Sequence, residues 1–150
     1  MTTTRKLKIW TDGASKGNPG IGGWGVYMRF GPHTKELFGG APNVTNNQME
    51  LTAVIQALSI LKRPCELALF TDSSYVMKGM SEWIPQWKRN GWRTSQKKPV
   101  KNVRLWMRLD RLAQIHDIEW HWVKGHNGDP GNEKADQLAN QGCDSVKQSL

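Results

Sequence analysis

The sequence predicts an α/β protein with a mixed sheet, and three observations support this fold class. Two short apolar runs, at residues 9–13 and 69–73, each end in an aromatic residue, Thr and Asp, as two neighbouring parallel strands would. Between them, alternating polar and apolar residues with glycine-rich turns predict antiparallel strands. Apolar residues at helical spacing after residue 45 predict a helix packed on the sheet.

The predicted elements follow in order along the chain. Three strands come first, at residues 6–11, 22–30 and 33–39, with a turn-rich loop at 12–20. Thr45 then begins a helix that runs to about residue 61, because Gln48 completes a capping box. The remaining predictions are a fourth strand at 66–70, a short helix from 73 toward 79, helices at 81–90 and about 100–113, a last strand at 118–123 and a final helix at about 132–142.

Length and composition indicate one soluble domain. We expect a single domain over residues 1–150, with an ordered core at about 5–143, because 150 residues suffice for one core and no linker divides them. No apolar run reaches the ~18 residues of a membrane helix, and the N-terminus lacks the apolar stretch of a signal peptide. Cys65 and Cys143 have no disulfide-framework or zinc-site spacing. A cytoplasmic protein with reduced thiols is expected.

Residues 83–108, called here the basic segment, carry the entire excess of positive charge. They contain eight basic residues and no acidic one, whereas the rest of the chain has 13 of each, for a net charge of +8. The segment also holds four of the eight tryptophans. Cations that bind phosphates, together with indoles that pack on sugars or bases, favour a nucleic-acid surface. A solvated face whose indoles only anchor it to the core is the alternative.

Three carboxylates are predicted to lie in or beside the apolar core, where an unpaired acid is destabilising. Asp12 and Asp72 follow the two matching strands, so their side chains meet at one sheet edge if the strands are parallel neighbours. Glu50 shares the apolar side of the helix that Thr45 begins, which is unfavourable without a cation or hydrogen-bonding partner. These residues predict a metal site. The alternatives are that each Asp caps a turn or helix and that Glu50 tilts into water.

Several longer motifs together resemble bacterial type 1 ribonuclease H, the enzyme that cuts the RNA strand of RNA–DNA hybrids. The resemblance extends from about residue 6 to 143. Its motifs are TDGASKGNPG at 11–20, TNNQMEL at 45–51, TDSSYV at 71–76, KKPVKNV at 97–103, WVKGH at 122–126 and NEKADQLA at 132–139. This resemblance implies a ribonuclease H-like fold, with a five-stranded mixed sheet, flanking helices and a basic helix–loop–helix protrusion at about residues 81–101.

The resemblance also implies a set of catalytic residues. Four carboxylates would hold two Mg²⁺ ions, with Mn²⁺ as a substitute, and the products would carry 5′-phosphate and 3′-hydroxyl ends. Asp12 would bridge the ions, Asp72 would complete the nucleophile side, and Glu50 and Asp136 would serve the leaving-group side. His126, in a glycine-flanked loop, would move a proton or assist product release.

Substrate contacts follow from the same resemblance. The substrate would be an RNA–DNA hybrid duplex, bound with little regard to base sequence by a monomer that needs no protein partner and no membrane. The residues implied are Asn18, Thr45, Asn46, Gln48, Trp83, Trp87, Lys88, Arg89, Lys97, Lys98, Lys101 and Asn102. Two positions depart from the family pattern: Ser74 stands where many members have Gln, and Asn43 stands where many have a basic residue. These departures affect affinity and rate, not the reaction.

Two other functions fit parts of the sequence. One is another nuclease of the same architecture, such as an integrase-like or junction-cutting enzyme, which shares an acidic metal site. The other is a hybrid-binding module without catalysis. The hybrid-specific motifs argue against the first alternative. The complete carboxylate set argues against the second, because uncompensated acids would weaken the binding of a polyanion.

Overall fold

A computed structural model describes residues 5–150 of the chain. The predicted absence of a signal peptide also involves residues 1–4, which lie outside the described residues. The strands are β1 Leu7–Gly17, β2 Gly20–Phe30, β3 His33–Val44, β4 Glu66–Thr71 and β5 Asp117–Trp122. The helices are α1 Asn46–Ser59, α2 Ser74–Lys78, α3 Ile84–Arg89, α4 Val103–Ile115 and α5 Pro130–Ser149, with a π-helical turn at Gly79–Trp83 between α2 and α3.

The five strands form one mixed sheet in the order β3-β2-β1-β4-β5, which confirms the predicted fold class. The first three strands pair antiparallel, whereas β1 pairs parallel with β4, and β4 with β5. The prediction that Asp12 follows the end of its strand is wrong. β1 continues to Gly17 because β2 still pairs with it there, while the parallel pairing with β4 ends at Thr11 and Thr71.

The helices cover the sheet from both sides. The predicted capping box begins α1: the Thr45 hydroxyl accepts from the Gln48 N–H, and the Gln48 side chain accepts from the Thr45 N–H. The apolar side of α1 packs with strand residues such as Ile9 and Leu69 in the main core. On the other face, Gly131 at the start of α5 lies against the Trp10 ring. Adjacent strand residues point to opposite faces, so the two helices enclose the sheet.

Three predicted helix boundaries are wrong. Residues 74–89 form one continuous helical run, because the predicted stop, Gly79, lies against the Trp106 ring and continues the helix as a π-helical turn. Gly142 does not end α5 either: it packs against the backbone of Gly39, and α5 continues to Ser149. Finally, α4 begins at Val103 instead of about residue 100, after Asn102 in a left-handed conformation.

Two simpler predictions can be compared directly. Both cysteines are free, Cys143 buried and Cys65 half-buried. Among residues 5–150, no helix combines the length and apolar character needed to cross a membrane.

Candidate active site

The three carboxylates selected from the sequence come together at one edge of the sheet. Asp12 lies in β1, Glu50 near the start of α1 and Asp72 directly after β4. One carboxylate oxygen from each lies within 4.8 Å of the others. Asp12 is only 5 % exposed and Glu50 only 7 %. Three acids this close, two of them buried, form a candidate divalent-metal site.

A glycine brings two of these acids together. Asp12 precedes Gly13, whose missing side chain lets β1 approach the first turn of α1 directly. A Cβ at Gly13 would lie 2.5 Å from the backbone nitrogen of Glu50. The Gly13 N–H also donates to Asp12 Oδ1 at 2.9 Å, which orients that carboxylate.

A fourth acid, Asp136, joins the other three from the second turn of α5, as its sequence position predicts. Repulsion from its carboxylate is one of the causes that raise the pKa of Asp12. The approach of α5 depends on Gly23 and Gly25 in β2, because a Cβ on either would overlap backbone carbonyls of this helix. Asp12, Glu50, Asp72 and Asp136 are called the carboxylate cluster below.

The electrostatics of this cluster call for a cation. Burial, with repulsion from Glu50 and Asp72, raises the pKa of Asp12 to about 10. Burial, with repulsion from Asp72, raises the pKa of Glu50 to about 8. Glu50 Oε1 is buried and has no hydrogen-bond partner. A hard divalent cation suits this donor set, because it supplies the positive charge that the oxygens lack.

The loop after β5 lies beside the cluster. A Cβ at Gly125 would lie 2.7 Å from Asp72 Oδ2, so the backbone passes directly over this carboxylate. His126 follows, exposed and in a left-handed conformation with φ of 56°. His126 therefore lies one residue from the backbone that contacts Asp72, with its side chain exposed to solvent.

Five of the predicted substrate contacts lie around the first turn of α1. Asn18 accepts a hydrogen bond from the Asn46 N–H at 3.0 Å, which ties the β1–β2 turn to the helix. Thr45 and Gln48 form the capping box. Gln48 Nε2 also donates to Asn102 Oδ1 at 3.2 Å. The predicted contacts are thus neighbours in space, connected by their own hydrogen bonds.

The tryptophans of the basic segment pack together beneath its cations. Trp106 is fully buried, and its ring centroid lies 5.5 Å from that of Trp87. Trp83 lies 5.7 Å from Trp87, and Trp92 6.2 Å from it. Trp83 and Trp87 remain half-buried. These indoles anchor the segment to the core, the alternative raised for them, while their partly exposed edges remain accessible to a ligand.

The predicted phosphate-binding cations differ in their surroundings. Lys88 Nζ forms an ion pair of 3.0 Å with Asp110, a nearly buried acid of α4 just beyond the basic segment. The Gln114 side chain also donates to Asp110, at 3.1 Å. The other predicted cations of the segment are exposed; they are Arg89, Lys97, Lys98 and Lys101.

Two interactions were missed by sequence reasoning. Tyr75 accepts hydrogen bonds from Asn102 and Trp106 through its hydroxyl, although its helical position alone suggested nothing beyond packing. The second missed interaction is the ion pair of Lys88 with Asp110, an acid just outside the basic segment. The sequence shows only that Asp110 and Gln114 share one helix face. Neither partner across the fold could be identified without the structure.

Four clefts among the described residues are lined by residues other than the four acids of the carboxylate cluster. An open cleft of about 750 Å³ lies near the start of β1 and the β2–β3 turn, lined by Lys6, Lys8, Arg29 and their neighbours. The carboxylate cluster instead lies further along β1, where its parallel pairing with β4 ends, and Asp72 and Asp136 are partly exposed there. A long duplex reaches such an open edge more readily than a small molecule that needs enclosure.

Comparison with known proteins agrees with this geometry. The RNase H family model matches residues 4–144. Ribonuclease H of Cupriavidus necator is 61% identical over 142 residues, covering 95% of this chain and 98% of the relative. Ribonuclease H of Bordetella avium is 61% identical over 140 residues, covering 93% and 92%. Among solved structures, LC9-RNase H1 superimposes with a TM-score of 0.84 at 27% identity, covering 97% of this chain and 75% of that one.

The chain therefore belongs to the ribonuclease H family. Within it, the sequence and fold are those of a bacterial type 1 ribonuclease H, a hydrolase and nuclease, which confirms the interpretation of the sequence motifs.

Proposed function

We propose that this enzyme hydrolyses the RNA strand of RNA–DNA hybrids at the carboxylate cluster, without base-sequence preference. The observation that carries the proposal is the meeting of Asp12, Glu50 and Asp72 within 4.8 Å in a chain of the ribonuclease H family. Buried acids with raised pKa values are unfavourable for folding alone, so their retention at an open edge supports a catalytic role.

The cluster is proposed to hold two Mg²⁺ ions, with Mn²⁺ as a substitute. Asp12, central among the acids, would bridge them; Asp72 would serve the nucleophile side, and Glu50 and Asp136 the leaving-group side. When bound, such ions supply an activated water and stabilise the charge on the departing oxygen. The products would carry 5′-phosphate and 3′-hydroxyl ends.

His126 is proposed to move a proton beside the cluster. Its exposed ring lies on a loop whose backbone contacts Asp72, so it can exchange protons with solvent and with a reacting group. This position also suits assistance to product release.

Substrate binding is proposed to use two surfaces. Asn18, Asn46 and Gln48 would contact the hybrid through side-chain or backbone amides near the cut, where RNA differs from DNA by its 2′-hydroxyl. Thr45 and Asn102 would bind a phosphate of the DNA strand. The basic segment would hold the DNA strand mainly by charge, through Arg89, Lys97, Lys98 and Lys101, with the edges of Trp83 and Trp87 beside them. The internal ion pair of Lys88 gives it a smaller share of this binding.

The remaining proposals concern the whole chain. Residues 1–150 would form one ribonuclease H domain that acts as a monomer in the cytoplasm, with no obligatory protein partner. Two free cysteines suit a reducing compartment. The sheet and the helices packed on it extend from residue 7 to residue 149.

Cleavage of defined substrates tests the proposed function. End-labelled RNA–DNA hybrid, RNA duplex, DNA duplex and single-stranded RNA are incubated with protein in Mg²⁺ and in EDTA. We expect cleavage of the hybrid RNA alone, none in EDTA, and a loss of at least about 1000-fold in Asp12→Asn, because a bridging ligand is removed. Asp144→Asn, the same change at an exposed site on α5, is the matched control and should cleave normally.

The same assay separates the alternatives. Cleavage of the DNA duplex would indicate another nuclease of this architecture. Hybrid binding in EDTA and in Mg²⁺ without any cut would indicate a binding module, contrary to the proposal. The ends of the products are checked by 3′ extension, which requires a free hydroxyl, and by phosphatase-dependent relabelling of the 5′ end.

A further inference from the structure

A chain of hydrogen bonds connects the start of α1 to α2 and α4. It runs from the Thr45 backbone through Gln48, Asn102 and Tyr75 to Trp106, with donor–acceptor distances of 2.9, 3.2, 3.1 and 3.0 Å. Of these helices, α1 carries Glu50, α2 begins two residues after Asp72, and α4 carries the end of the basic segment. It therefore links the carboxylate cluster to the surface proposed to hold DNA.

The direction of every bond in this chain is fixed from its two ends. Gln48 Oε1 accepts from the Thr45 N–H, so the other end of the Gln48 amide, Nε2, must donate. Its partner on Asn102 is then the oxygen, which leaves Asn102 Nδ2 facing the Tyr75 hydroxyl. From the far end, the indole N–H of Trp106 can only donate, so the Tyr75 oxygen accepts twice.

Asn102 is held in an unusual conformation by these partners. Its backbone is left-handed, with φ of 60°, and it occupies the N-cap position of α4 without capping that helix through its side chain. The side chain points instead to Gln48 and Tyr75. Left-handed Asn costs free energy, so the tertiary hydrogen bonds maintain it.

We propose that Gln48 and Tyr75 are positioning residues, which act on the hybrid by fixing the orientation of the Asn102 side-chain amide. This inference rests on the proposed function, because it takes Asn102 as a contact to the substrate. Both ends of the Gln48 side-chain amide are bonded within the protein, so this side chain acts through Asn102, and the contact of Gln48 to the hybrid is left to its backbone. Reversal of the Asn102 amide would exchange its donor and acceptor, and a phosphate oxygen binds only the donor.

Steady-state cleavage of the hybrid by three variants tests this inference. Tyr75→Phe removes the oxygen that accepts from Asn102. Gln48→Met removes the donor to Asn102 without adding charge, and Gln48→Glu keeps the capping acceptor for Thr45 but offers Asn102 a second acceptor, so its amide must reverse. In each, we expect KM for the hybrid to rise about 5- to 20-fold, the effect of one hydrogen bond, with kcat within about twofold.

A control variant separates positioning from a general loss of stability. Ile55→Val lies in the buried core of α1, outside the hydrogen-bond chain, and weakens packing. It should leave KM unchanged, and thermal unfolding identifies the temperature at which all variants are folded. In ¹⁵N-labelled protein, Gln48→Glu should shift the Asn102 side-chain amide resonances and retain the hydrogen-bonded Trp106 indole signal.

The outcomes are distinct. KM values of Tyr75→Phe and Gln48→Met within twofold of the wild type would overturn the inference, as would an equal rise in Ile55→Val. A wild-type protein that leaves hybrids uncut would contradict the proposed function itself, before any variant is compared.

Discussion

The carboxylate cluster and the basic segment hold charge in opposite ways. In the cluster, four acids from separate parts of the fold come together, two of them buried, and backbone contacts at Gly13, Gly23 and Gly25 fix the elements that carry them. In the basic segment, most of the cations are exposed, while the indoles beneath them are packed into the core. One region fixes its charged groups, and the other fixes only the surface that carries them.

Because of this difference, single residues of the two regions are expected to contribute unequally to function. Buried charges of one sign destabilise the folded protein until a cation binds and compensates them. Each acid of the cluster is therefore expected to contribute strongly to function. Exposed lysines lose little by being unpaired and bind a polyanion through their summed field, so each matters little. Lys88, paired with Asp110, is the exception within the basic segment.

The largest effect on folding is expected where the cluster depends on backbone contact. Gly13→Ala puts a methyl group 2.5 Å from the Glu50 nitrogen, and neither backbone can yield. We expect a loss of about 2–3 kcal/mol in the free energy of unfolding, measured in urea, together with loss of cleavage. Gly31→Ala, where a Cβ meets nothing but φ is 59°, should cost only about 1 kcal/mol. Equal losses in the two variants would show that the contact at Gly13 is unimportant.

The cost of the buried acids gives a pH dependence. The pKa values of Asp12 and Glu50 are raised in the folded state, so the folded protein keeps protons that the unfolded chain releases above about pH 4. Metal-free stability is then highest at low pH and falls as the pH rises toward 8–10. In EDTA at pH 8.5, Asp12→Asn should be more stable than the wild type by about 1–3 kcal/mol, with a smaller difference at pH 5.5. Mg²⁺ should reverse the ranking, whereas a pH-independent difference would contradict this account.

Neutralising exposed cations tests the other region. Changing Lys97, Lys98 and Lys101 together to Met should weaken hybrid binding about tenfold near 0.1 M salt and lower the slope of log Kd against log salt by about 2–3. Stability and kcat should change little, because these side chains are exposed. Fluorescence anisotropy of a labelled hybrid in EDTA gives the slope. The same triple change on Lys35, Lys62 and Lys147, exposed elsewhere, should have a smaller effect. An unchanged slope in the first variant would exclude the basic segment as the phosphate-binding surface.

The smallest effect is expected for Lys88, the one cation of the basic segment described above as paired with an acid. Lys88→Met leaves Asp110 without its cation and should lower the free energy of unfolding by about 1 kcal/mol, because the pair is only partly shielded from solvent. Lys98→Met should lower it by less than about 0.5 kcal/mol. Lys88→Met in an Asp110→Asn background should have almost no effect on stability. If both single lysine variants instead change the salt slope alike and leave stability unchanged, Lys88 belongs with the exposed cations.

The glycines show where sequence reasoning fails. Gly79 and Gly142 were expected to end helices, since glycine is common there. In the structure both lie within helical runs, where the missing side chain admits Trp106 and the Gly39 backbone. A missing side chain allows a glycine either to end a helix or to let a neighbouring group approach closely. Which of the two occurs depends on the neighbour that packs against it. At Gly23 and Gly25 the backbone of α5 approaches equally closely, and no local pattern predicted this partner.

By itself, the sequence determined the elements whose signals are local. The Thr45–Gln48 capping box, the alternating strands, the net charge of the basic segment and the acids that meet at the sheet edge all depend on nearby residues or a repeated motif. Tertiary structure decided which partners meet across the fold. The ion pair of Lys88 and the hydrogen bonds of Tyr75 join residues distant in sequence, and packing, which no local pattern encodes, selects them.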